Sequence, residues 1–147
     1  MNKEDKDFLL KDLCARLLYS VKIEITYSKD SGSSLRARLC CEGINTLDTN
    51  ILWLFQQSEV YIKPYLFPLS SMTEEQKKEL DKKFNVIDIY GNNILIHYHS
   101  QGYWDTDLEV DFQDWLWLIN WLNKNHFDYH GLIKKGLALD ATGLNIY

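Results

Sequence analysis

The chain has 147 residues, 46% hydrophobic and 14% aromatic, which is too apolar for a disordered polymer and enough for one domain. A domain of this length buries roughly 70% of its unfolded surface. The formal charge of −5 argues against a general nucleic-acid binder, which needs clustered Lys and Arg against phosphate, and is too small to mark a DNA mimic. Cys14, Cys40 and Cys41 give neither zinc-type spacing nor an even disulfide framework, so reduced thiols are expected. The first residues, MNKEDKD, lack the apolar core of a signal peptide, and the apolar helical stretch Trp115 to Leu122 falls far short of the roughly 20 residues that span a bilayer. A cytoplasmic protein with no membrane partner is expected.

Residues 4–18 read as an amphipathic helix. Phe8, Leu9, Leu13, Leu17 and Leu18 fall near one side, and Lys3, Glu4, Lys6, Asp7, Lys11 and Asp12 supply the solvated side. The period then changes to two: Val21, Ile23, Ile25 and Tyr27 share one face. After the turn-forming run Lys29 to Ser34, alternation resumes with Leu35, Ala37, Leu39 and Cys41, which predicts a hairpin with one buried face. Ile51 to Phe55 and Val60 to Ile62 are candidate short strands. Pro64 and Pro68 each remove a backbone donor and mark an edge strand or a packed loop.

Thr73 precedes Glu74, Glu75 and Gln76, the pattern of a capping box, with two acids where the helix dipole favours them. A helix over about 74–84 follows, touching the core through Leu80 and Phe84. Val86 to Tyr90 and Ile94 to His99, joined by Gly91-Asn92-Asn93, predict a second hairpin. Asp107 to Phe112 alternates acid with apolar residues and is a candidate third strand. Trp115, Leu118, Ile119 and Leu122 define a helix stripe over 115–124, with Asp111 or Asp114 near its start. Asp128 can cap a last short helix ended by Gly136. No internal repeat or linker interrupts the chain. The expected fold is a single α+β domain over 1–147: an N-terminal helix, two β-hairpins forming an antiparallel sheet, a capped central helix, and C-terminal helices packed on the sheet.

Three blocks stand out together: EDKDFLLKDLCARL (4–17), IKPYLFPLSSMTEEQKKEL (62–80) and NWLNKNHFDYHGLIKKGLALDA (120–141). They resemble a family of short proteins of gut bacteria and of their phages and prophages. In that family a KPYL-x-PLSSMTEE block is followed at a distance by a WLN-x-x-HFDY-x-GLI-x-KGLAL tail. The blocks cover a little over a third of the chain in the same order. The resemblance implies a mobile-element setting and a cytoplasmic location. It carries no catalytic residue over, because the family brings no established activity. Its members often have Arg where this chain has His130, and Pro-Tyr-Gly where it has Leu18-Tyr19-Ser20.

Four histidines are the first candidates for chemistry. His97 and His99 lie two apart in an expected strand and leave one face, while His126 and His130 lie four apart; convergence of the pairs would suit zinc or another divalent metal. Against this, no carboxylate or cysteine stands at a fixed offset, and Asp128 breaks helical geometry between His126 and His130. The acidic run Asp105, Asp107, Glu109, Asp111 and Asp114 suits a cation site, a paired carboxylate for hydrolysis or a phosphate mimic, but alternating acids are also the solvent face of an edge strand. Tyr103, Trp104, Trp117 and Trp121 are candidates for an interaction surface, with Trp115 assigned to the core; Trp117 and Trp121 lie four apart towards another side of the same helix. Ser70 and Ser71 lack a nucleophile elbow, and neither a P-loop, a dinucleotide fingerprint nor H-E-x-x-H is present. The expectation is a non-enzymatic accessory protein of phage or prophage type that needs no cofactor. It would act on a protein partner or on itself, without direct nucleic-acid contact. The alternative is a metal-binding domain or metal-dependent enzyme built on His97/His99 and His126/His130.

Overall fold

Lys3–Arg16 forms helix α1, started by the Asn2 side chain, which accepts from the Asp5 N–H at 2.7 Å, and by Glu4 and Asp5 in its first turn. Leu9 and Leu13, four apart, are fully buried and contribute about 2 kcal/mol each by leaving water. A 3-10 turn, Leu17–Tyr19, ends the helix at Ser20, whose φ of 54° and ψ of 47° are left-handed. Leu18 points outward, whereas the helix stripe had placed it with the core. The computed structural model describes residues 1–27, 53, 55–57, 60–84, 87–90, 93–96 and 112–147.

Strand β1, Ile23–Tyr27, pairs antiparallel with β2, Val60–Leu66, setting Ile25 opposite Ile62 and Glu24 opposite Lys63. Period two turns Ile23, Ile25, Val60 and Ile62 to the core, so a shift of one residue would expose the whole set. The expected partner of β1, residues 35–41, lies outside the described residues, as do Cys40 and Cys41. Trp53, Phe55 and Gln56 take helical geometry instead of the expected strand; a short apolar run does not by itself separate the two. On its other side β2 pairs parallel with β5, Leu139–Asp140, through Tyr65 and Leu66. The sheet is therefore mixed, in the order β1-β2-β5.

Strands β3, Ile87–Tyr90, and β4, Asn93–Ile96, form the expected second hairpin, with Ile89 opposite Ile94. Among the described residues they form a two-stranded sheet, separate from β1-β2-β5. The proposed strand over 107–112 lies outside the described residues except for Phe112, which begins a helix.

Helix α2, Glu74–Phe84, starts with the expected capping box: the Gln76 N–H donates to Thr73 Oγ1 at 3.3 Å and the Thr73 N–H donates to Gln76 Oε1 at 2.9 Å. Leu80 and Phe84 are its buried residues. Helix α3, Phe112–Lys124, buries Leu118, Trp121 and Leu122. The expected last helix is instead a set of turns over 129–136; Asp128 still caps it, accepting from the N–H groups of Leu132 and Ile133 at 2.8 Å each, and Gly136 ends it at φ 70°. Among the described residues no helix is long and apolar enough to cross a membrane.

Among the described residues two apolar clusters result. One gathers Leu9, Leu13, Ile23, Ile62 and Leu66 with Leu132 and Leu137; the other gathers Leu69, Leu80, Phe84, Leu118, Trp121 and Phe127. The segment from Ile62 to Leu69 runs from the first to the second. Its Phe67 forms a parallel bridge to Phe127, the Phe67 N–H donating to the His126 carbonyl and the Asp128 N–H to the Phe67 carbonyl.

Candidate functional site

Asp12 and Arg16 lie four apart on α1, so their side chains share a face, and that face looks inward. Arg16 has no exposed surface and Asp12 almost none. The guanidinium donates through Nε to Asp12 Oδ2 at 2.7 Å and through Nη2 to Oδ1 at 3.0 Å, the fork geometry that Lys could not supply. Nη2 also donates to the Phe127 carbonyl at 2.9 Å, and the Tyr129 ring lies 5.2 Å from the guanidinium carbon. From the sequence, Asp12 belongs to the solvated side of α1; burial is possible because the Arg16 charge compensates it.

The segment after α3 brings the rest of the cluster into place. The Phe127 N–H donates to the Leu122 carbonyl and the His126 N–H to the Asn123 carbonyl, the two bonds of a helix-ending motif whose turning residue is left-handed. That residue is His126, at φ 56°, where glycine is the usual occupant. Four residues further on, His130 Nδ1 meets Asp12 Oδ1 at 2.9 Å. Its ring packs 4.2 Å from that of Tyr129 and 5.2 Å from that of Phe8. Tyr129 donates its hydroxyl to Asn123 Oδ1 at 2.9 Å, and its phenol is pushed up by burial.

Burial pushes the Asp12 carboxyl up, but hydrogen bonds from His130 and Arg16, with the charge of Arg16, outweigh it and hold the group below its ordinary value. An ionised Asp12 only accepts, so His130 carries its proton on Nδ1 and, when neutral, leaves Nε2 as the basic nitrogen. His126 is the opposite case. Burial, then the charges of Arg16 and Lys22, push it down to about 4, and its ring stacks on Tyr147 with centroids 3.8 Å apart. The Tyr147 hydroxyl donates to the Tyr65 carbonyl at 2.7 Å and accepts from the Lys22 N–H at 3.1 Å.

The histidine pair is thus divided: His126 is buried against Tyr147, and His130 is partly exposed and held by Asp12. His97 and His99 lie outside the described residues, as do Tyr103, Trp104 and the acidic run from Asp105 to Asp111. Among the described residues no group of three or more His, Cys, Asp or Glu side chains could hold a metal ion. Asp114 sits in the first turn of α3 and pairs with Lys83 of α2 at 2.6 Å. Cys14 is exposed on α1, two residues from Asp12 and so on a different side of the helix.

Trp115 and Trp121 are placed the other way round from the sequence expectation. Trp121 is 6% exposed and stacks on Phe127 at 5.7 Å; Trp117 is half-buried, edge-on to Phe84 at 5.7 Å. Trp115, assigned to the core, is 46% exposed, together with Phe112 at 69% and Leu116 at 42%. These three occupy i, i+3 and i+4 and form one apolar stripe on the outer side of α3. The helix has a narrow polar side at Gln113, Asn120 and Lys124 and a broad apolar one, so periodicity alone does not decide between Trp115 and Trp121 for the inner face. Phe84 and Phe127 choose it.

The Asp12–Arg16 pair was missed because charged residues are assigned to solvent by default. The available signal was Arg16, which continues the helical spacing of the buried Leu9 and Leu13. Comparison with protein-family models, with curated proteins and with solved structures finds no match for this chain.

Proposed function

We propose that this protein acts by contact, as a non-enzymatic protein-interaction module, through the outer face of α3. The observation that carries this reading is the stripe of Phe112, Trp115 and Leu116, three large apolar side chains turned to solvent on consecutive turns. Grouped apolar surface of this kind is what a partner protein covers, with an aromatic residue as the natural anchor. The polar cluster fits the reading, since Asp12, Arg16, Asp128 and His130 all have partners within the fold. An accessory role in a phage or prophage, in the cytoplasm, is the setting that the resemblance of the three sequence blocks supports.

The test pairs the native chain with the double variant Trp115→Glu, Leu116→Glu. Both sites are exposed, so the variant should keep its circular dichroism and its unfolding midpoint. Sedimentation velocity over a wide concentration range reads self-association, and matched pull-downs with the two proteins as bait read a heterologous partner. A complex formed by the native chain and lost in the variant supports the reading. Identical mass and identical captured proteins for the two chains would sink it.

A further inference from the structure

Three charged side chains from three parts of the fold border one small cleft. Asp5 comes from the first turn of α1, Lys63 from β2, and Lys135 from the turns that end at Gly136. The cleft has a volume of about 270 Å³, and all three line it together with Met1, Ile62, Gly136 and Leu137. Ile62 and Leu137 are buried members of the first apolar cluster and Met1 packs against it, so the floor is apolar. The Lys135 ammonium lies 4.3 Å from the centroid of the Phe8 ring, a cation–π contact that places it beside α1. Phe8 follows Asp5 by three positions, on the same side of that helix. Gly136, at φ 70°, borders open space: a Cβ there would meet no atom within 4 Å.

We infer that this cleft binds a small apolar α-amino acid of the leucine type. Its carboxylate meets Lys63 and Lys135, its ammonium meets Asp5, and its side chain lies on Met1, Ile62 and Leu137. Two cations and one anion above an apolar floor match a zwitterion that carries an aliphatic group. A divalent metal does not suit two lysines, and a phosphate would meet Asp5 and leave the floor uncovered. The volume falls just below the roughly 300–1,000 Å³ of ligand pockets, which suits a molecule of amino-acid size better than a nucleotide cofactor. Asp5 and Lys135 also line a second cleft of about 430 Å³, but Glu4, Asp7 and Lys11 beside Phe8 give it no such floor. No described residue of the smaller cleft belongs to α3, so the inference goes beyond the contact reading and does not depend on it.

Amide NMR shifts of the native chain, titrated with L-leucine, test this. Isocaproate and isoamylamine serve as analogues that keep the aliphatic chain and lose the ammonium or the carboxylate. L-leucine should give saturable shifts at Asp5, Ile62, Lys63 and Leu137. Each analogue should bind about tenfold more weakly, the worth of one charge-assisted hydrogen bond. No saturable shift at those residues, or an analogue that binds as well as L-leucine, overturns the inference. The variant Lys63→Gln, Lys135→Gln removes the carboxylate partners at a half-buried and an exposed position. It should weaken L-leucine by at least about tenfold, and unchanged affinity overturns the inference as well. Should that variant fail to fold, the analogue series on the native chain decides alone.

Discussion

At the scale of single residues, His126 combines a left-handed backbone, a buried imidazole and a ring nitrogen with no protein partner among the described residues. The second has a sign that can be worked out. Its folded value of about 4 lies below the ordinary 6.5, so between them the unfolded chain takes up a proton that the folded chain refuses. The residue's contribution is fully present above about pH 6.5 and is lost as the pH drops towards 4. Urea unfolding at a series of pH values should show this slope, and His126→Asn, which tolerates the left-handed backbone, should remove it. Equal slopes in the two proteins would refute the assignment. Asp12 acts in a lower window, because its depressed carboxyl stabilises the fold above the ordinary 3.8 and the effect is lost as pH falls below it. Ser20 is simpler: it is left-handed with its N–H donating to the Leu17 carbonyl, so Ser20→Gly should raise stability by about 0.5 kcal/mol in the same assay. Thr73 and Gln76 were legible in the sequence because a capping box is local. The roles of Asp12 and His126 were not, because Arg16 meets the Phe127 carbonyl across 111 positions and no local pattern reports that contact.

Among elements, the Asp12–Arg16 pair joins α1 to the segment that follows α3. A buried ion pair is weak evidence of net stability, but removing one partner strands the other. Asp12→Ala should therefore cost about 3–5 kcal/mol, read from the urea midpoint, by leaving the Arg16 guanidinium uncompensated. The double change Asp12→Leu, Arg16→Met removes both charges and should cost clearly less. Equal losses in the two proteins would mean that the pair contributes through packing alone. The helices also show where periodicity stops being informative. On α2 only Leu80 and Phe84 are apolar candidates for the core, and both are buried. On α3 Trp115 and Trp121 compete for the inner face, and the aromatic surface of Phe84 and Phe127 takes Trp121. The exposed apolar stripe of α3 is therefore Phe112, Trp115 and Leu116, and the double glutamate variant probes the last two.

For the whole molecule, α+β character was legible because the period changes from 3.6 to 2 near residue 21 and back again at the capped helix. Sheet order was not. The strand on the far side of β2, Leu139–Asp140, is two residues long and pairs parallel to it, and so short an element carries no periodicity. The same distance in sequence shapes how the molecule is made. Leu9 and Leu13 form one wall of the first cluster, and Leu132, Leu137 and Ala138 form another. A ribosome synthesises these walls more than a hundred positions apart. Throughout that interval α1 can coil, but its apolar side has nothing from the far wall to close against. Contacts of such long range are the slow ones to form, and they leave the nascent chain open to chaperones and to its neighbours until the segment around Leu137 has emerged.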